Sequence, residues 1–226
     1  MTKIELTPAY LIHRRAYQDN SLLLDFLTLE HGRIRLVARG SRQSKTKLQM
    51  FMQLRISYAG RGELKSLSAW EVDDTPRVLS GERLILGVYI NELVERLLHE
   101  GEAHEQLFAA YQSFIGQLPG LPSVEQHWQL RLFENQLLES LGYGLDFAYD
   151  DQGEFVHGEK RYHYHEQLGF QSSASGIIPG ELLLQLAQQG DVPDAEQLKI
   201  CRNLNRQRLQ PLLGNKPLYS RELYFK

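Results

Sequence analysis

Apolar and polar positions alternate with a period of two in residues 10–15, 21–28, 33–38, 53–59 and 63–71, five short stretches separated by turn-forming residues. A period of two sends successive side chains to opposite faces of a strand, so five such stretches predict a small β-barrel. His31-Gly32 and Gly60-Arg61-Gly62 suit the turns, because glycine accepts positive φ at little cost. Residues 41–47, SRQSKTK, carry no apolar period and read as a polar, basic loop between the third and fourth strands.

Near residues 73–81 the pattern changes, with Pro76 and Gly81 interrupting the alternation. Leu86, Ile90, Leu93, Val94 and Leu97 then recur at helical spacing, as do Leu107, Phe108, Tyr111, Phe114, Ile115 and Leu118. A third helix is expected with Ser123 as its N-cap, running through Trp128, Phe133, Leu137 and Leu141 to a stop at Gly142. From about 146 to 175 the helical period is lost, and Arg161-Tyr162-His163-Tyr164-His165 alternates, which predicts a short hairpin or irregular insert. Helices resume after Pro179-Gly180 and again after Asp194, a candidate cap for a helix reaching about Leu213. The expectation is an α+β chain with a β-barrel domain over residues 1–80 and an α-helical domain over 81–226.

Composition changes this picture little: 42% apolar and 23% charged residues suit a folded chain rather than a disordered one. No apolar run is long enough for a membrane span, and the N-terminus MTKIELTPAYLIHRR lacks a secretion signal, so a cytoplasmic location is expected. Cys201 is the only cysteine, which excludes an internal disulfide and any cysteine-based zinc site within one chain.

Charge changes the picture more. The net charge is −3, yet residues 1–80 hold 13 Lys+Arg against 8 Asp+Glu, and the remainder holds 12 against 20. Between Arg33 and Lys65, the cations Arg33, Arg35, Arg39, Arg42, Lys45, Lys47, Arg55, Arg61 and Lys65 stand against one acid, Glu63. The strand period puts Arg33, Arg35 and Arg39 on the face opposite Ile34, Leu36 and Ala38, a row suited to phosphates along a nucleic-acid strand. Charge protecting a strand edge from aggregation is the competing reading. Tyr10, Tyr17, Phe26, Phe51, Tyr58 and Trp70 are aromatic candidates for base stacking, although most also suit a barrel core; Tyr17 is the least core-like.

On the last long helix Lys199, Arg202 and Arg206 share a stripe opposite Leu198, Cys201 and Leu204, which is either a second cationic surface or an ordinary solvated face. Cys201 lies at an apolar position and reads as packing. His157, His163 and His165 with Asp150, Asp151 and Glu154 do not give a persuasive metal-ligand spacing. A magnesium-dependent nuclease using Asp146, Asp150, Asp151 or Glu154 is a weaker alternative, and so is a barrel adaptor for structured RNA. Phosphate-binding glycine loops, nucleophile elbows and zinc-protease motifs are absent, so no enzyme is expected.

The chain resembles the RecO family of bacterial recombination mediators, in its gamma-proteobacterial branch. The resemblance is carried by Leu22-Leu23-Leu24-Asp25, Glu30 through Gly40 (EHGRIRLVARG), Gly60-Arg61-Gly62-Glu63-Leu64-Lys65, Tyr89-Ile90-Asn91-Glu92-Leu93, Arg131-Leu132-Phe133-Glu134, Leu141-Gly142-Tyr143-Gly144 and Lys216 through Leu223 (KPLYSREL). It implies an N-terminal OB-fold followed by an α-helical domain, nucleoid association, and binding of single- and double-stranded DNA. It also implies annealing of complementary strands and assistance in loading RecA onto DNA coated by the single-stranded DNA-binding protein. RecR and the acidic C-terminal tail of that coating protein are the implied partners. By motif position Arg131 is a candidate cation for the tail, with a helix-surface salt bridge as the alternative, and Lys199, Arg202 and Arg206 join it as tail candidates. For DNA the candidates are Arg33, Arg35, Arg39, Arg42, Lys45, Lys47, Arg61 and Lys65. Many relatives carry a four-cysteine zinc site after the position of Gly144; this chain has no cysteine there, so neither zinc nor another cofactor is expected.

Overall fold

A computed structural model describes residues 2–40, 48–62, 64–74 and 78–223. Five strands, β1 (Thr2–Tyr17), β2 (Ser21–Thr28), β3 (Gly32–Ala38), β4 (Gln53–Gly60) and β5 (Lys65–Val72), close into an OB-like barrel in the order β1-β2-β3-β5-β4. All neighbours are antiparallel except β3 and β5, which run parallel where Leu36 pairs with Lys65. Alternate residues fill the barrel as the period of two requires: Ala9, Leu11, Leu24, Phe26, Ile34, Leu36, Ala38, Leu54 and Ile56 share one core. Each Leu, Ile or Phe so buried contributes about 1.5–3 kcal/mol. Leu23, Asp25 and Leu27 on the opposite face of β2 are buried as well, so this strand has no solvated side.

The first strand starts earlier than the alternation predicts, because register shifts between Ile4 and Thr7 and between Leu11 and His13 break its period. Such bulges insert an extra residue and re-aim the side chains that follow. The second one brings His13 into register with Asp25.

The helices are α1 (Gly81–Leu97), α2 (Glu105–Gln117), α3 (Ser123–Ser140), α4 (Gly180–Gln188), α5 (Ala195–Leu213) and α6 (Tyr219–Glu222). The chain forms two compact units, residues 1–119 with 216–226, and residues 120–215. Strands give way to helices near residue 80, while the first compact unit continues through α1 and α2. Within it α1 packs on β1 and on α6. Tyr10, facing out of the barrel, stacks on Phe108 and Tyr111 at ring separations of 5.5 and 4.9 Å. Glu92 accepts hydrogen bonds from the backbone N–H groups of Tyr219 and Ser220 and from Ser220 Oγ at 2.7–2.9 Å, which holds the C-terminal segment against α1.

In the second unit a three-stranded sheet, β6 (Arg161–His165) between β7 (Gly169–Ser172) and β8 (Ile178–Pro179), packs with α3, α4 and α5 around Trp128, Tyr162, Phe170, Leu182, Leu183 and Cys201. Asp194 caps α5 as predicted: its carboxylate accepts from Gln197 N at 2.8 Å, and Gln197 reciprocates. Ser123 is the first helical residue of α3 rather than its cap, a position Pro122 takes with the fixed φ of its ring.

Candidate nucleic-acid interface

A carboxylate that the charge pattern does not single out, although it closes the motif Leu22-Leu23-Leu24-Asp25, organises the basic strand. Asp25, Arg35 and His13 are cross-strand neighbours on β2, β3 and β1. Asp25 is fully buried. Its Oδ1 accepts from Arg33 Nη1 at 3.0 Å and from Arg35 Nε at 2.9 Å, and its Oδ2 lies 3.6 Å from His13 Nδ1. Arg33 is 9% exposed and spends a further donor on Leu98 O at 2.9 Å. Both arginines also meet Glu100 Oε1, each at 3.3 Å. Burial pushes the Asp25 carboxyl up, but His13, Arg35 and Arg33 together outweigh it and hold it below the usual carboxylate range. The Asp25 carboxylate in turn raises the His13 pKa, with Glu95 adding to the effect against burial and Arg15.

Thus Arg33 and Arg35 do lie opposite Ile34 and Leu36, but their charges are engaged by acids outside the basic stretch of sequence. Arg55 is likewise paired, to Asp73 at 2.8 Å. The remaining described candidates flank β3 and β5. Arg39 follows β3, Lys65 opens β5 in register with Leu36, and Arg61 sits in the turn leading into β5; Arg39 and Arg61 are exposed and Lys65 is half-buried over the Tyr58 ring. Arg42, Lys45 and Lys47 lie outside the described residues. Among the stacking candidates Tyr10, Phe26, Phe51 and Tyr58 are buried, leaving Tyr17 and Trp70 half-accessible.

In the second unit Arg131 is buried, its Nη1 2.9 Å from the fully buried Glu134, which also accepts from Asn205 Nδ2 at 2.9 Å. An ion pair to Glu134 is thus present, but buried rather than on the helix surface, where the alternative reading places it. Lys199, Arg202 and Arg206 are all exposed on the outer face of α5. Arg208, not singled out from sequence, points inward to Asn135 Oδ1 and Tyr143 O, both at 2.8 Å, and lies over Phe147. Its place on the stripe of Cys201 and Leu204 is the signal for an inward side chain. It borders an open cavity of about 670 Å³ with Leu132, Gln136, Glu139 and Phe147. Cys201 is buried, and burial pushes its thiol up to about 12, which suits packing rather than reactivity.

Among the described residues the one group of three potential metal-ligand atoms within 4.8 Å of one another is His13, Asp25 and Glu95. Two guanidiniums already occupy Asp25 and oppose a cation there. The acids of the insert hold turns instead: Asp146 accepts from Ala148 N, Asp150 from Gln152 N and Glu154 N, and Asp151 from Gln171 Nε2. His163 faces Ser175 Oγ at 3.2 Å. Among the described residues, no helix is long and apolar enough to cross a membrane.

Comparison with known proteins covers nearly the whole chain. Residues 1–75 match the family model described as "Recombination protein O N terminal", and residues 79–213 match "Recombination protein O C terminal". A protein named DNA repair protein RecO from Coxiella burnetii (strain RSA 493 / Nine Mile phase I) is 40% identical over the full length of both chains. One of the same name from Pseudoalteromonas translucida is 38% identical over 96% of this chain and 95% of its own. Another from Shigella flexneri is 38% identical over 96% of this chain and 92% of its own.

Proposed function

The chain belongs to the RecO family, and on that premise we propose that it is a non-enzymatic mediator of recombinational DNA repair that binds and anneals DNA strands. The observation that carries the reading is the set of cations on an OB-like barrel, Arg39 after the end of β3, Lys65 at the start of β5 and Arg61 in the β4–β5 turn. OB-folds bind oligonucleotides with these same parts, the strand 2–3 face and the loop between strands 4 and 5. The sequence-adjacent cations Arg42, Lys45 and Lys47 extend the set. Annealing changes no covalent bond: the cations screen two phosphate chains from each other and leave the bases accessible. Arg33 and Arg35 enter this surface only if Glu100 releases them.

The partner reading rests on the helical unit. The acidic C-terminal tail of the single-stranded DNA-binding protein docks on the exposed stripe Lys199, Arg202 and Arg206, with Arg131 held back by Glu134. RecR joins the complex, and RecA loading follows on the stripped strand, in the cytoplasm at the nucleoid. The test is fluorescence-monitored annealing of complementary strands coated with that protein, with and without its C-terminal tail. Accelerated annealing that falls when the tail is removed is expected. Annealing no faster than the uncatalysed rate would refute the reading.

A further inference from the structure

We propose that the Glu100 carboxylate is a built-in stand-in for a nucleic-acid phosphate, filling a two-arginine oxyanion site that a DNA strand must take from it. Glu100 Oε1 sits between Arg33 Nη2 and Arg35 Nη1 at 3.3 Å from each, an arrangement in which guanidinium forks receive a phosphate oxygen equally well. The site is pre-formed from behind. Asp25 Oδ1 fixes both guanidiniums, and Leu98 O fixes Arg33 Nε, so neither arginine depends on Glu100 for its direction.

Charge counting gives the consequence. The two guanidiniums against Asp25 and Glu100 sum to zero, and Glu95 beside Asp25 and His13 adds a further negative charge, so the basic strand presents no net positive charge from these acids and arginines. With Glu100 turned away the charge facing solvent there becomes more positive by one unit. The polypeptide that delivers Glu100 is anchored independently of its side chain: Gly101 N donates to Arg33 O at 2.9 Å, and Arg33 and Glu100 form a parallel bridge. Gly32 approaches the Glu102 carbonyl so closely that a Cβ would overlap it, and its φ of +61° favours glycine in any case. The strap therefore stays in place, while the Glu100 side chain is 43% exposed and Arg35 27%, so a rotation of Glu100 opens the site to solvent. The ligand is a phosphodiester of the strand, which competes with a tethered carboxylate that meets both arginines through one oxygen, Oε1.

The inference rests on the DNA-binding reading, and the experiment separates the two. Binding of a labelled oligothymidylate is measured across a salt series for the wild type, Glu100→Gln, and Glu102→Gln, an exposed acid two residues along the same strap. Glu100→Gln is expected to tighten binding about three- to tenfold at low salt and to steepen the log–log salt slope by about 0.7 for each phosphate newly contacted. Glu102→Gln is expected to leave the slope unchanged. If the wild type binds and Glu100→Gln does not tighten it, the inference falls while the DNA-binding reading stands. Equal gains from both variants mean a general charge effect and overturn it too. Binding that emerges only in Glu100→Gln supports it strongly, and no binding by any of the three refutes both readings.

Discussion

The β3 strand and the α5 helix carry the same kind of sequence signal, cations at regular spacing opposite an apolar face, and fold it into opposite results. On α5 the stripe of Lys199, Arg202 and Arg206 stands in solvent. On β3, Arg33 and Arg35 turn to Asp25 and Glu100. The difference is architectural. A helix at a unit's surface has one packed stripe and a broad wet side, whereas β2 and β3 lie in a barrel wall whose outer face is itself partly covered, so "opposite the core" does not mean "toward water".

Breaking each side of this contrast should give effects of very different size. Asp25→Asn leaves the buried Arg33 and the part-buried Arg35 without their shared carboxylate and should cost about 3–5 kcal/mol in urea unfolding. Glu134→Gln, which unpairs buried Arg131, should fall in the same range or just below it; a loss under about 1 kcal/mol in either would deny these pairs their structural role. His13→Gln should cost about 1 kcal/mol or less, because the ring is part-exposed. Its signature is in pH. The His13 pKa is raised in the folded state, so its stabilisation is complete below the unfolded value of 6.5 and fades as pH rises through the folded value. The variant should lack that decline. Asp25 behaves oppositely: its pKa is lowered, so its contribution holds above 3.8 and is lost as pH falls through the folded value. Smallest in stability is the triple replacement of Lys199, Arg202 and Arg206 by Ala, within about 0.5 kcal/mol per site. That triple variant should nonetheless lose binding to the acidic tail peptide by fluorescence anisotropy, and retained binding would remove α5 as the docking face.

What the sequence made legible was local. Strand and helix periods, the Asp194 cap, the αL glycine Gly142 after α3, and the packing role of Cys201 each depend on neighbours a few residues away. What it hid was long-range. Asp25 meets Arg35 across a hairpin, and Glu100 reaches them from beyond α1, so a charge count over residues 33–65 could not include either acid. The same limit hides the meeting of Glu92 with Ser220, two resemblance motifs 128 residues apart. Several family motifs thus carry the ion pairs and caps that hold the fold, and the proposed DNA contacts Arg39, Arg61 and Lys65 lie within two of the quoted motifs.

The central claim is that Arg39, Arg61 and Lys65, after β3 and around the β4–β5 turn, rather than the buried Asp25 cluster, carry the resting protein's DNA binding. The most direct measurement is the salt dependence of oligothymidylate binding by a variant with Arg39, Arg61 and Lys65 all replaced by Ala, its fold checked by circular dichroism. The slope of log affinity against log salt should flatten by about 0.7 per lost phosphate contact, roughly 2 in all, with affinity falling at every salt concentration. A folded triple variant that binds with wild-type affinity and slope would contradict the account.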